Sequence, residues 1–220
     1  WSHGLLSDEQ ARAFRRLSVC AGGFDLTLAQ ALLQWPGLDD WAGIDLLADL
    51  VDRSLVALVR ADGPADATPR YRLLETARAY AAEQLAAAGE TADAQRTHAR
   101  ALRRIFDVAW EDGWQCPEAT FLERHEPELD NLRAALDWAQ REDPETAIAL
   151  AGSSSRLWRG LSLHPEALRR LMRAAEAIDA GTPPALAARL WEGLAQLQGE
   201  IASTDSRASA LRALALYRGL

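Results

Sequence analysis

The stretches Ser54-Leu55-Val56-Ala57-Leu58-Val59-Arg60 and Arg70-Tyr71-Arg72-Leu73 decide how the first half of this chain is read. Both are short runs of strand formers, and the segment 61–69 between them is rich in Gly, Pro and Asp, which predicts two strands paired across a loop. Upstream, the apolar period becomes helical. Ser7 with Glu9 and Gln10 predicts an N-cap, after which Ala11, Phe14, Leu17 and Ser18 recur on one face as far as Cys20, and Gly22-Gly23 ends the run. Thr27 is expected to cap a second helix carrying Leu28, Ala31 and Leu32, broken by Trp35-Pro36-Gly37. A third is expected from Trp41 to Arg53, with Ile44, Leu47, Leu50 and Val51 inward. After Leu73 a helix from Leu74 to about Ala88 stops at Gly89. Three helices, a two-stranded wing and a trailing helix describe a winged-helix-like domain over residues 1–90.

From residue 91 onward only helical periodicity is found, punctuated by Pro117, Pro127, Pro144, Pro165 and Pro183-Pro184. Proline is tolerated in the first turn of a helix and breaks it elsewhere. The expected helices are 96–112, 117–126, 128–141, 144–159, 165–179, 184–198 and 206–218. Ala167-Leu168-Arg169-Arg170-Leu171 recurs as Ala210-Leu211-Arg212-Ala213-Leu214, an offset of 43 residues (210 against 167), close to the period of helix-pair repeats. The expected fold class is therefore mainly α: a winged-helix-like domain with a small β-hairpin, then an all-α TPR-like helical-repeat domain over 91–220.

Composition narrows the chemistry. The 24 basic residues are all arginine, which excludes a lysine-dependent phosphate loop and Schiff-base catalysis within this chain. A net charge of −8 disfavours phosphate backbones as partners. Cys20 and Cys116 stand alone, without CxxC spacing, and no run reaches the length of a membrane span. A cytoplasmic location is expected. The chain begins with Trp1 and stops at Leu220 inside a predicted helix, so it is expected to be part of something longer.

Individual motifs favour packing over reaction. His125-Glu126-Pro127-Glu128 lacks the second histidine of HExxH, since position 129 is Leu129, and is expected to be a solvated helix boundary. Gly152-Ser153-Ser154-Ser155 reads as a small-residue helix stretch, not a nucleophile elbow. Trp110, Trp138, Trp158 and Trp191 fall at core spacing, whereas Trp35 and Trp41 flank a loop. Cys20 and Cys116 lack an evident basic neighbour and are expected to be inert. No catalytic residue, metal ligand or cofactor is expected. Among the arginines near 170, Arg169 and Arg173 share one side of a helix, where they form a candidate grip for an acidic partner or a solvated face.

Five blocks carry a family resemblance: Leu5-Leu6-Ser7-Asp8-Glu9-Gln10, Phe14 to Phe24 (FRRLSVCAGGF), Leu50-Val51-Asp52-Arg53-Ser54-Leu55-Val56, Arg70 to Thr76 (RYRLLET) and Glu126 to Leu136 (EPELDNLRAAL). In this order they resemble the region following the nucleotide-binding domain in bacterial STAND (NB-ARC-type) signalling ATPases, including regulators of the LuxR and SARP (AfsR-like) kind. Beyond about residue 140 the likeness is to TPR-like repeats in general. The resemblance implies a relay, in which the winged helix packs on the nucleotide-binding core and the repeats receive a protein or small-molecule signal. It also implies a Met-His-Asp-like triplet after the wing, whose histidine approaches a nucleotide phosphate. Leu73, Leu74 and Glu75 stand there in this chain, so the phosphate donor is missing, and Arg72 and Glu75 are left as candidate interdomain contacts.

The expected function is thus a non-catalytic regulatory and protein-interaction module whose partners are its parent's nucleotide-binding domain and a signalling protein. The alternative is a DNA-binding winged-helix transcription factor domain. Residues 1–90 hold 13 acidic residues against 8 arginines, and the would-be recognition helix is flanked or filled by Asp39, Asp40, Asp45, Asp49 and Asp52. Groove readers present a basic face, so DNA is the less favoured partner.

Overall fold

The computed structural model describes residues 6–59, 69–113 and 115–220, apart from the side chain of Asp40. Residues 60–68, which include most of the expected wing tip (61–69), and His3 and Leu5 lie outside the described residues. Three helices lead, α1 (Asp8–Leu17), α2 (Leu26–Leu32) and α3 (Asp40–Asp52), followed by β1 (Val56–Val59), β2 (Arg70–Leu73) and α4 (Glu75–Ala87). Ser7 forms a reciprocal capping box with Gln10. The cap of α2 is Asp25, not Thr27: Asp25 is extended and its carboxylate accepts from the Leu28 N–H at 2.8 Å, which leaves Thr27 inside the first turn.

The strands pair antiparallel, with Val56 opposite Leu73 and Val59 opposite Arg70. Val56 and Leu73 are buried, so this end of the wing is pinned to the helices. Phe24 adds a bridge of its own. It exchanges two main-chain hydrogen bonds with Tyr71, at 2.8 and 2.7 Å, and stacks on its ring. A single bridging residue has no period, which is why sequence patterning missed it.

Phe14, Leu17, Phe24, Leu28, Leu32 and Leu50 form the apolar centre of this unit, and Arg16 lies among them at 2% exposure. Its Nε donates to the Leu32 carbonyl at 2.7 Å, its Nη1 to Asp93 at 2.7 Å and its Nη2 to Thr97 Oγ1 at 3.4 Å. Leu32 ends α2, so its carbonyl has no intrahelical donor and the guanidinium satisfies it.

Helix α4 ends as the glycine predicts. Gly89 takes φ +70°, its N–H donates to Ala86, and the Glu90 N–H donates to Leu85, a Schellman turn. Glu90 then holds Arg15 through two hydrogen bonds. Helix α5 (Thr91–Asp112) starts at once, earlier than the expected residue 96. The chain divides into two compact units between Ala101 and Leu102, inside α5, whereas the helix break at Gly89 had suggested 90/91. The reason is that the first turns of α5 supply Asp93 and Thr97 to Arg16 and bury Ala94.

The second unit continues with α6 (Glu118–His125), a 3-10 turn over Glu126–Glu128, α7 (Leu129–Glu142), α8 (Pro144–Ser153), α9 (Ser155–Gly160), α10 (His164–Ala175), α11 (Pro184–Glu200) and α12 (Ser206–Tyr217). The described residues of the chain are therefore mainly helical, a winged helix followed by a helical domain. The single helix expected over 144–159 is two. The Ser153 hydroxyl turns back to Ala149 O at 2.9 Å, the Trp158 indole N–H donates to Ser154 Oγ at 3.1 Å, and the chain bends at Ser154. Small residues make this seam: a Cβ on Gly152 would sit 2.9 Å from the main-chain nitrogen of Leu190, and one on Gly193 2.7 Å from Ser155 Cβ. The two copies of the short repeat differ in burial. Ala167 and Leu171 are buried on α10, whereas Ala210 is exposed and Leu214 is 43% exposed on α12.

Two substitutions probe this architecture. Arg16→Met is expected to destabilise the first unit by about 1–3 kcal/mol, because it strands the buried Leu32 carbonyl; urea unfolding measures the loss. Gly152→Ala is expected to lower the melting temperature of the second unit, at a cost of about 1–3 kcal/mol from overpacking against main chain, although alanine is the better helix former.

Candidate functional site

Helix α3 occupies the recognition-helix position of the winged helix. Its start is capped by Asp39, whose carboxylate accepts from the Ala42 N–H at 2.8 Å. Leu46, Leu47 and Leu50 face the core, while Ile44 and Val51 are only half-buried. The opposite side presents Trp41, at 77% exposure, with Asp45, Asp49 and Asp52 also exposed. Asp49 is steadied by Gln10, whose Nε2 donates to it at 2.7 Å. A face of carboxylates around an unburied indole repels phosphate.

The triplet after the wing spreads out in space. Leu73 is buried, Leu74 is the 48%-exposed N-cap of α4 with no side-chain capping bond, and Glu75 is exposed in the first turn. Glu75 is held below the usual carboxylate range by the hydrogen bond from Arg78, 2.8 Å away. Arg72 is exposed on β2. Arg72 and Glu75 therefore both lie on accessible surface near the root of the wing.

Arg169 and Arg173 are exposed on α10, with Met172 exposed between them. Arg170 separates from them. It binds Glu166 at 3.0 Å and Asp137 at 2.7 Å, while Arg133 holds Glu166 at 2.8 Å, and both guanidinium groups lie over the buried Trp158 ring at 5.7 and 5.9 Å. Glu166 is held low first by its hydrogen bond from Arg133 and then by Arg170, against the cost of burial.

One expectation needs correcting. His125 is not solvated: it is 8% exposed and packs against Phe121, with ring centroids 4.6 Å apart. Burial first, then the charges of Arg124 and Arg156, push it down to about 4, so it is a neutral core residue. Its place at a helix end suggested water, but the 3-10 turn folds that end inward. At Cys116 the basic group meets the main chain and not the thiol: Arg156 Nη2 donates to the Cys116 carbonyl at 2.7 Å. Trp138 and Trp158 are buried as core spacing predicts; Trp110 and Trp191 are half-buried and carry Arg189 and Arg212 on their faces. The block Glu126 to Leu136 is structural, with Glu128 and Asn131 buried and joined at 2.8 Å. Among the described residues no group of three or more His, Cys, Asp or Glu is placed to hold a metal ion, and no helix is long and apolar enough to cross a membrane.

These features fit the comparisons with known proteins. Residues 6–86 match the winged helix-turn-helix domain family. The match falls within the first unit. The chain is 38% identical over 164 residues, 73% of its length, to proteins of Mycobacterium bovis and Mycobacterium tuberculosis that bear the name "Putative HTH-type transcriptional regulator". It is also 43% identical over 93 residues, 41% of its length, to a Mycobacterium tuberculosis protein named only as uncharacterized. It spans 18% of the former relatives and 22% of the latter. No solved structure matches the chain.

The Arg133–Glu166–Arg170 network has a pH signature. A carboxylate whose folded value lies below its ordinary 4.5 adds stability that is complete above that value and is lost as pH falls through it. Melting curves from pH 7 to pH 3 are expected to show this loss, and Glu166→Gln is expected to be less stable at pH 7 and less sensitive to acid.

Proposed function

We propose that this chain is a non-catalytic, cytoplasmic regulatory module of a longer bacterial signalling ATPase or transcriptional regulator of the STAND (NB-ARC) kind. The winged helix docks on the parent's nucleotide-binding domain, with Arg72 and Glu75 as interdomain contacts. The TPR-like helical unit receives a signalling partner, for which Arg169 and Arg173 are the candidate grip. The module needs no cofactor of its own. The observation that carries this reading is the outward face of α3, where Trp41 stands among Asp45, Asp49 and Asp52. Regulation is supported by the relatives named as HTH-type regulators, which the chain covers only in part.

A second reading follows from the winged helix-turn-helix match itself: the first unit binds duplex DNA. It must overcome the acidity of α3, because a helix in the major groove stands beside phosphates on both sides.

One experiment separates the two. The full chain is titrated with labelled duplex DNA at about 50 mM salt and, separately, with the nucleotide-binding domain encoded by the same full-length gene. Docking predicts micromolar capture of that domain, weakened at least about tenfold by Trp41→Ala, and no DNA retardation. Retardation with a steep salt dependence and no capture would overturn it, as would a full-length gene without such a domain.

A further inference from the structure

The helical unit holds a cavity of about 440 Å³ among the ends of α5, α6, α9 and α11 and the seam of α8. Its size falls in the range of small-molecule sites. Half-buried Trp110 gives it an apolar wall, backed by the buried Ala109 and Phe121, and Arg156 and Arg159 enter it from α9. The two arginines differ in their company. Arg159 is neutralised by Glu200 at 2.7 Å and is also bound to Gln196. Arg156 donates only to the main-chain carbonyls of Gly113 and Cys116 among the described residues, and its guanidinium lies 4.2 Å over the Phe121 ring. Those partners hold the plane of the guanidinium without cancelling its charge, and they use two of its five N–H donors. A half-buried cation locked in orientation beside an aromatic wall is an arrangement that recognises a carboxylate with an apolar body.

We propose that this cavity binds a small organic monoanion, its carboxylate on Arg156 and its aromatic or branched apolar body against Trp110. Glu118 at the cavity wall favours a single charge over a di- or trianion. The neighbouring His125, neutral in the fold, adds no competing acid. The signal received by the helical unit is then at least partly chemical, and in that respect the proposal rests on the regulatory reading above. The binding event itself does not.

Naphthalene-2-carboxylate is a probe of suitable shape, with naphthalene-2-carboxamide as its neutral twin and inorganic phosphate as a bare anion. Calorimetry on the full chain is expected to show the carboxylate binding at least about tenfold more tightly than the amide, with phosphate giving no heat, and Arg156→Met is expected to remove the difference. That variant also loses the bonds to Gly113 and Cys116, so a second readout uses the unaltered protein. Cys116 lines the cavity and is half-buried, whereas Cys20 is buried, so iodoacetamide should modify Cys116 first, and saturating carboxylate should slow it. Equal binding of the amide, protection by phosphate alone, or no heat together with unchanged alkylation would overturn the site. Binding of the carboxylate by a chain that captures no nucleotide-binding domain leaves the site standing and removes the docking reading; capture without carboxylate binding removes the site alone.

Discussion

The first unit is organised around a charge placed where apolar residues would be expected. Arg16 is enclosed by the α1–α2–α3 core, and its guanidinium reaches the last carbonyl of α2 and the first turns of α5. A cation can be kept there only if its donors are matched, and the match fixes three elements at once. That is why the start of α5 belongs to the winged-helix unit. Glu90, bound to Arg15 in the turn before α5, reinforces the same junction from outside. Apolar burial supplies most of the stability of such a unit, but it does not specify register; the directional bonds of Arg16 do.

The fold was largely legible because it depends on local signals that chain order preserves. The Ser7–Gln10 capping box, Gly89 at φ +70° and prolines opening α8, α10 and α11 each meet a local requirement with a residue type suited to it. What escaped was non-local or degenerate. Phe24 joins the wing through a bond to a residue 47 positions away. Asp25 and Thr27 both suit an N-cap, and only the backbone conformation chooses between them. The break at Ser154 arises from hydroxyls that could equally have faced solvent.

Legibility of the candidate sites was more uneven. The acidity of α3 could be counted directly, and exposure of Trp41 turned that count into a face. Arg169, Arg170 and Arg173 looked alike in sequence, yet Arg170 is committed to Glu166 and Asp137, a distinction only the packing of α7 against α10 reveals. Arg156 gave no signal at all. Its significance comes from two main-chain carbonyls some 40 residues earlier, and main-chain acceptors leave no trace in a residue pattern.

The absence of lysine gives these ion pairs an asymmetry. The ion pairs described, from Glu90 in the first unit to Glu166 and Glu200 in the second, rely on guanidinium, whose proton stays bound throughout the range in which proteins survive. Alkali therefore has no handle on the cationic half of these contacts, whereas acid can disarm the anionic half one carboxylate at a time. These contacts are armoured on one side of neutrality and open on the other.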